Sequence, residues 1–566
     1  MTMFEMFPAL PLFIGAALAA VSRGALRAVV MIAAPVIGGL GLLFMSAGAT
    51  THAELMGYTL TPVRVDQLSL LFGFLFHLAA LIGVIYALHI KDPMQDVAAL
   101  AYAGSAVGAV FAGDLLTLFV YWELLAVTSA VLIFARRNER SLKAGIRYLL
   151  NQVGSGVLLL AGAIVYVAYS DSLAFGHIGL DAPGGWLIFL AFGIKSAFPL
   201  LHNWLTDAYP EATATGTVFL SAFTTKVAIY ALARGFAGTE LLVYIGVLMA
   251  CFPIFYAVIE NDLRRVLSYS LINQVGFMVV GIGIGTELAI NGAVAHAFND
   301  VLFKGLLLMS MGAVLHVTGE MRGSELGGLY KTMPKTAVLC MIGAASISAF
   351  PLFSGFVSKS IIVAETLEHG YEFIWLALLF ASAGVFHHAG IKIPYYAFFH
   401  HDSKFVAQAH EPPANMLIAM TVAAVLCIGI GCFPGLLYAM LPYEMDYWPY
   451  DTTHVLAQMQ LLAFSALAFM WLSLAGIYPP ELKSVNLDAE WFYRRLMPDA
   501  VQTLLARAAP IDRRLRVGGL KLIDRGISIL ARHHGSHGVL ARTWPTGSMV
   551  LWVAVLLGLS LVLYYF

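Results

Sequence analysis

Charge is scarce in this sequence. Asp, Glu, Lys and Arg make up 11% of its 566 residues, where a soluble protein carries about 25%. Hydrophobic residues reach 60%, more apolar surface than a water-soluble globule can hide. Cysteine is scarce too. Cys251, Cys340, Cys427 and Cys432 all lie in apolar stretches without CxxC or CxxH spacing, so they read as small buried hydrophobes rather than redox or metal ligands. An excess of one charge sign is absent: the formal net charge is −1, which offers no basic surface to nucleic acid. No basic stretch precedes the first apolar run, Phe4 to Val21, so that run reads as a retained span rather than a cleaved signal.

What the sequence has instead is long apolar runs. A membrane span takes ~20 residues, and sixteen such runs follow one another between residues 4–21 and 547–566. The expected fold class is an all-α polytopic membrane protein with about 14–16 transmembrane helices. Loop cations concentrate on the cytoplasmic side of membranes. Arg23 and Arg27, Lys91, the cluster Arg136 to Lys143, Arg264 and Arg265, Arg322, Lys331, Lys335 and Lys404 all fall in alternate loops. The opposite loops at 170–184, 366–371 and 441–454 contain no Lys or Arg. That phase places both termini on the periplasmic side.

Residues 478–546 differ from the rest, with eleven of the thirty-two Lys and Arg residues. Ile511, Leu515, Leu520, Ile523, Ile527 and Leu530 recur there at helical spacing among Arg513, Arg516, Lys521, Arg525 and Arg532. A basic amphipathic helix of this kind suits a bilayer interface.

Ionisable residues inside spans are costly and mark function by default. Glu123, Lys195, Lys226, Lys304, Lys359 and Lys392 all lie within apolar runs, as do His387 and His388. His296, Asp300 and Lys304 are spaced i, i+4, i+8 and share one helix face. Burial disfavours a charged lysine and a nearby carboxylate restores the charge, so a lysine whose partner can move away is a proton switch. Two spans also contain Pro199 and Pro351, each within Phe-Pro-Leu (198–200 and 350–352). A mid-span proline frees backbone groups and is tolerated beside a polar cavity. Paired broken helices point to two inverted five-helix repeats, with Lys195 set opposite Lys359 and Lys226 opposite Lys392. The resulting division is N-terminal spans (1–94), first repeat (95–236), second repeat (237–400), further spans (401–477), basic segment (478–546) and terminal span (547–566).

Several strings then resemble a known family. They are Tyr-Trp-Glu-Leu (121–124), the stretch from Lys195 to Ala212, Thr225-Lys226, Asn261 to Ser270, His296 to Lys304 and Ser354 to Lys359. Together, across about residues 65–400, they resemble the antiporter-like subunits shared by Mrp cation/proton antiporters and the membrane arm of respiratory complex I, most closely the D-type Mrp subunit. The resemblance implies that Glu123 and Lys195 form a gating ion pair, Lys226 is the central relay, and His296 and Lys304 join the halves. It further implies that Lys359 leads to the far side and that His202 lines the access route. Asp300 departs from the pattern, since relatives often carry histidine there. An acid at that place can titrate, pair with Lys304, or help bind a cation.

The implied function is a proton-translocating subunit of a multi-subunit Na+ or K+/proton antiporter in a bacterial inner membrane. Its partners would be other membrane subunits and the bilayer, with no cofactor, metal or nucleic acid, and no bond chemistry of its own. Three alternatives remain open. One is a pumping subunit of a redox-driven complex of the NADH:quinone oxidoreductase or hydrogenase type, where translocase activity would follow. The others are a membrane partner in inorganic-carbon uptake and a non-transporting scaffold.

Overall fold

A computed structural model describes residues 7–55, 57–483 and 486–566, so the beginning of the first apolar run (Phe4 to Met6) lies outside the described residues. The chain divides into two units, one ending at Asn486 and one running from Leu487 to Phe566. Among the described residues, thirteen helices are long and apolar enough to cross a membrane. Three shorter apolar helices, Leu10–Val21, Gly185–Lys195 and Pro334–Ile347, account for the remaining hydropathy runs.

Gly185–Lys195 and Pro334–Ile347 are short because each is the first half of a broken span. Both halves end on the same five residues, Ser-Ala-Phe-Pro-Leu, at 196–200 and 348–352. Ala197 and Ala349 have φ of 65° and 57°, and Leu200 and Leu352 have φ of 68° and 73°. The Phe198 amide donates to the Gly193 carbonyl at 2.9 Å, and the Phe350 amide to Ala345 at 3.0 Å. The Ala197 and Ala349 amides reach back three residues at 3.1 and 3.0 Å. This is a Schellman termination with alanine where glycine is usual. The left-handed conformation costs an L-residue about 1–2 kcal/mol, which the packing around both buried alanines must offset. Pro199 and Pro351 then prevent the helix from resuming in line. The second halves restart as Asn203–Ala208 and Ser354–Glu368.

Helix Glu287–Thr318 has 32 residues, about 48 Å at 1.5 Å per residue. Its apolar and polar residues are buried on every side, which is how a helix without a hydrophilic face must sit. The span Glu372–Phe399 contains two π-helical stretches, Phe386–Lys392 and Tyr395–Phe399. Such widened turns displace the ladder locally and often mark functional positions; here one carries His387, His388 and Lys392.

Among the described residues, one small sheet interrupts the helices. Thr50–Leu55 and Tyr58–Arg64 pair antiparallel, with Thr51 opposite Val63 and Gly57 (φ 83°) in the turn. β-Branched residues at alternate positions favour the strand. The hairpin docks on the start of helix Leu115–Phe134: the Thr61 amide donates to Asp114 Oδ2 at 2.7 Å, and Gly113 to the Thr61 carbonyl at 2.9 Å. Asp114 Oδ1 in turn caps that helix by accepting from the Thr117 amide at 2.7 Å. The helix so anchored is the one that carries Glu123.

The second unit holds helix Met497–His534, 38 residues with Pro510 inside, and helix Thr546–Tyr565. Neither helix has a buried side chain. The apolar row through Ile511, Leu515, Ile523 and Leu530 is therefore exposed, as are the cations between them.

Candidate functional site

Five lysines sit inside the first unit with almost no exposure: Lys195, Lys226, Lys304 and Lys392 at 0% and Lys359 at 2%. An unpartnered ammonium at such depth is prohibitive, so what each one touches decides what it can do.

Lys195 is the last residue of its half-helix, at the negative end of the helix dipole. Its Nζ donates to the Trp122 carbonyl at 2.5 Å and lies 4.4 Å from the centroid of the Trp122 ring. Trp122 is itself fixed, since its Nε1 donates to Ser155 Oγ at 2.9 Å and Ser155 donates to the Ala191 carbonyl at 2.7 Å. Glu123 is the next residue. Among the described residues its Oε1 has no hydrogen-bond partner, and the carboxylate presses on helix Glu139–Ser170 where a Cβ at Gly156 would overlap Oε1. The expected contact between Lys195 and Glu123 thus runs through the backbone of Trp122, leaving the carboxylate free to approach. His202 follows the break, buried, with its ring 4.7 Å from that of Phe252.

Lys226 and Asp300 form an ion pair with 2.5 Å between Nζ and Oδ2, both side chains at 0% exposure. Lys226 also reaches the Ser221 carbonyl at 3.2 Å and Thr225 Oγ1 at 3.4 Å. Ser221 lies just before Phe223, where the helical run from Gly216 to Gly235 is interrupted. Asp300 therefore meets Lys226 rather than Lys304, the partner that spacing along the helix suggests. One turn further along the same helix, Lys304 donates to Ser270 Oγ at 2.7 Å.

His296 stands one turn the other way. Its Nδ1 is 3.0 Å from Ser358 Oγ and its Nε2 3.0 Å from Gln274 Oε1. Asn299 donates to Ser358 Oγ at 3.0 Å and to the Ser354 carbonyl at 2.7 Å. This network ties helix Glu287–Thr318 to the second broken span, one residue before Lys359. Lys359 donates to the Ile347 carbonyl at 3.1 Å and lies 5.0 Å from the Phe277 ring. Ile347 occupies in its half-helix the place that Lys195 has in the other, two residues before the left-handed alanine. Lys359 itself comes from beyond the break, so two different backbone positions bring an ammonium to the C-terminal end of a half-helix.

Lys392, at the end of the π-helical stretch, pairs with Glu481 at 2.8 Å. Neither Glu481 nor the network residues Gln274, Asn299 and Ser358 stand out in the sequence. Neutral residues within spans carry no hydropathy penalty large enough to notice. Glu481 lies outside every span; only the need of Lys392 for a counter-charge points to such an acid.

The same stretch of chain carries a family relationship. A family described as NADH:quinone oxidoreductase/Mrp antiporter, TM matches residues 112–386, which include the site from Trp122 to Lys359. The Na(+)/H(+) antiporter D subunit of Alkalihalophilus pseudofirmus is 30% identical over 356 residues, 59% of this chain and 72% of that protein. The chain belongs to this family. Likeness of fold extends beyond the matched residues. A chain in the Mrp complex from Dietzia sp. has the same fold, with a TM-score of 0.78 at 24% identity over 93% of this chain. This chain spans 63% of that longer one. A chain of the membrane-bound sulfane sulfur reductase, an archaeal respiratory complex, matches with a TM-score of 0.72 at 22% identity, covering 98% of this chain and 99% of its own length. This is a multi-pass membrane protein of the antiporter family, whose curated relatives include subunits of multi-subunit antiporters.

Proposed function

We propose that this chain is the proton-translocating subunit of a multi-subunit Na+ or K+/proton antiporter in a bacterial inner membrane. Protons pass along Glu123, Lys195, Lys226, Asp300, Lys304 and Lys359, with His296 joining the halves and His202 lining the access side. The fully buried Lys226–Asp300 pair carries this reading. A permanent ion pair at that depth is poor structural glue, because apolar replacement is often neutral or stabilising; a pair that opens and closes is a switch. One charge crossing the membrane is worth about 2.3 kcal/mol per 100 mV, the scale of a change in one lysine's partner.

The matching Ser-Ala-Phe-Pro-Leu terminations support two repeats at 95–236 and 237–400. The basic loops support a cytoplasmic face at Arg136 to Lys143 and at Arg322 to Lys335, with both termini periplasmic. The test is proton flux in vesicles holding the whole complex, with Na+, K+ or neither. Lys226→Ala or Glu123→Ala abolishes cation-dependent flux while assembly persists; wild-type flux in either variant defeats the relay.

The near-complete coverage of the sulfane sulfur reductase chain favours, as a second reading, a proton-pumping role powered by a redox partner. Flux that requires an electron donor and ignores Na+ and K+ would select it.

A further inference from the structure

Lys392 is held more firmly than a lysine inside a span needs to be. Its ammonium donates to the Val258 and Glu260 carbonyls at 2.7 Å each and to Ala257 at 3.2 Å. These end helix Leu241–Ile259, where the dipole is negative. Glu481 is then added, its side chain only 4% exposed. It comes from the chain that follows helix Thr452–Leu474, and that chain is pinned on both sides. The Tyr478 ring lies 5.2 Å from His387, Lys483 pairs with Glu325 at 2.5 Å, and Asn486 donates to Glu260 Oε2 at 3.3 Å. Tyr478, Glu481 and Lys483 form a strap across one end of the span Glu372–Phe399. It lies beside the loops with Arg265 and Arg322, the side that the loop cations mark as cytoplasmic.

Toward the interior, His388 precedes Lys392 by four residues in the π-helical stretch. It is fully buried with the Gly384 carbonyl one turn back, and among the described residues neither ring nitrogen reaches full hydrogen-bond geometry. The ring is within electrostatic reach of both Lys304 and Lys392. An unsatisfied buried imidazole is costly, yet one nitrogen accepting while the other donates is what a proton shuttle requires. Tyr396, Tyr478 and the Glu260 carboxylate also face Glu481. Burial pushes the Glu481 carboxyl up, against the pull of Lys392.

We propose that Glu481, Lys392 and His388 form a proton branch joining Lys304 to the aqueous side that bears the basic loops, with Glu481 exchanging protons with water. The branch rests on Lys304 being a relay residue in the proposed function. From the resting ion pair, the Lys392 ammonium gives its proton to neutral His388, and the imidazolium gives it to the Lys304 amine. The Glu481 carboxylate then takes a proton from hydronium on the aqueous side and passes it to the Lys392 amine, which restores the pair. Glu481, Lys392 and His388 return to their starting states, and Lys304 holds the proton as an ammonium for the relay to take on.

The test uses the whole complex in vesicles, with flux read by a pH-sensitive dye and assembly checked by co-purification. Glu481→Gln lowers flux at least tenfold, and Glu481→Asp restores part of it with a shifted pH profile. The double variant Lys392→Met with Glu481→Met assembles, because an apolar pair replaces the charges, but stays inactive. Wild-type flux in Glu481→Gln overturns the branch, and so does recovered flux in the double variant, which would make the pair structural. Where Glu481→Gln fails to assemble, the double variant decides. Lys226→Ala run alongside separates the two readings: if it loses flux while Glu481→Gln keeps it, only the branch falls, and if both keep it, the relay falls.

Discussion

Lys226 and Asp300 meet at 2.5 Å with no exposure on either side chain. One comes from the interrupted helical run Gly216–Gly235 and the other from the long helix that also carries His296 and Lys304, so a single contact couples these two helices. Asp300→Asn removes the charge but not the volume. It leaves a buried ammonium without a counter-charge, a change that costs about 3–5 kcal/mol for buried pairs. The complex should unfold at a distinctly lower temperature in detergent, and flux should fall at least tenfold. Asp300→Glu, which keeps the charge, should recover assembly first and flux partly. Unchanged flux in Asp300→Asn would show that Lys226 does not depend on this partner.

Glu123 tests the other end of the path. Its carboxylate occupies space that only a glycine at 156 leaves open, while nothing lies within 4 Å of a Cβ at Gly154. Gly156→Ala should therefore displace Glu123 and depress flux several-fold, whereas Gly154→Ala on the same helix should leave it unchanged. Equal behaviour of the two variants would mean that the position of Glu123 is not critical.

Such contacts mark the limit of what a sequence discloses. The spans are legible because hydropathy has one cause, the cost of apolar surface in water, and it acts locally. Lys195, Lys226, Lys304 and Lys359 are legible because a cation in an apolar run is conspicuous. Their partners are not. That Asp300 chooses Lys226 over Lys304 depends on how Gly216–Gly235 packs on Glu287–Thr318, which no spacing along one helix encodes. The hairpin of Thr50–Leu55 and Tyr58–Arg64 escapes for the opposite reason: it is too short and too polar to register as a span, and its tie to Asp114 is a contact between distant residues.

Outside the membrane, Glu320 offers a pH test. It accepts from the Arg322 guanidinium and from the Met321 and Arg322 amides, which hold its carboxyl down at about 2 against an ordinary 4.5. A depressed carboxylate stabilises the fold above its unfolded pKa, and that contribution fades as pH falls from about 4.5 toward 2. Glu320→Gln should lower the thermal midpoint at neutral pH and flatten its acid dependence in this window. Parallel curves for variant and wild type would exclude Glu320 as a contributor.

The two helix breaks allow a test of sign rather than of size. Ala197 and Ala349 sit at φ of 65° and 57°, a conformation that costs alanine about 1–2 kcal/mol and glycine almost nothing. Glycine loses more freedom on folding, by roughly 0.4–1 kcal/mol. Ala349→Gly should therefore gain about 0.5–1 kcal/mol net. Ala344 lies in the helix just before the same break, and Ala344→Gly should lose about 1 kcal/mol. Two identical substitutions five residues apart should shift the melting temperature in opposite directions. If both lower it, the neighbouring packing holds Ala349 for its methyl group, and the break is maintained by burial rather than against backbone strain.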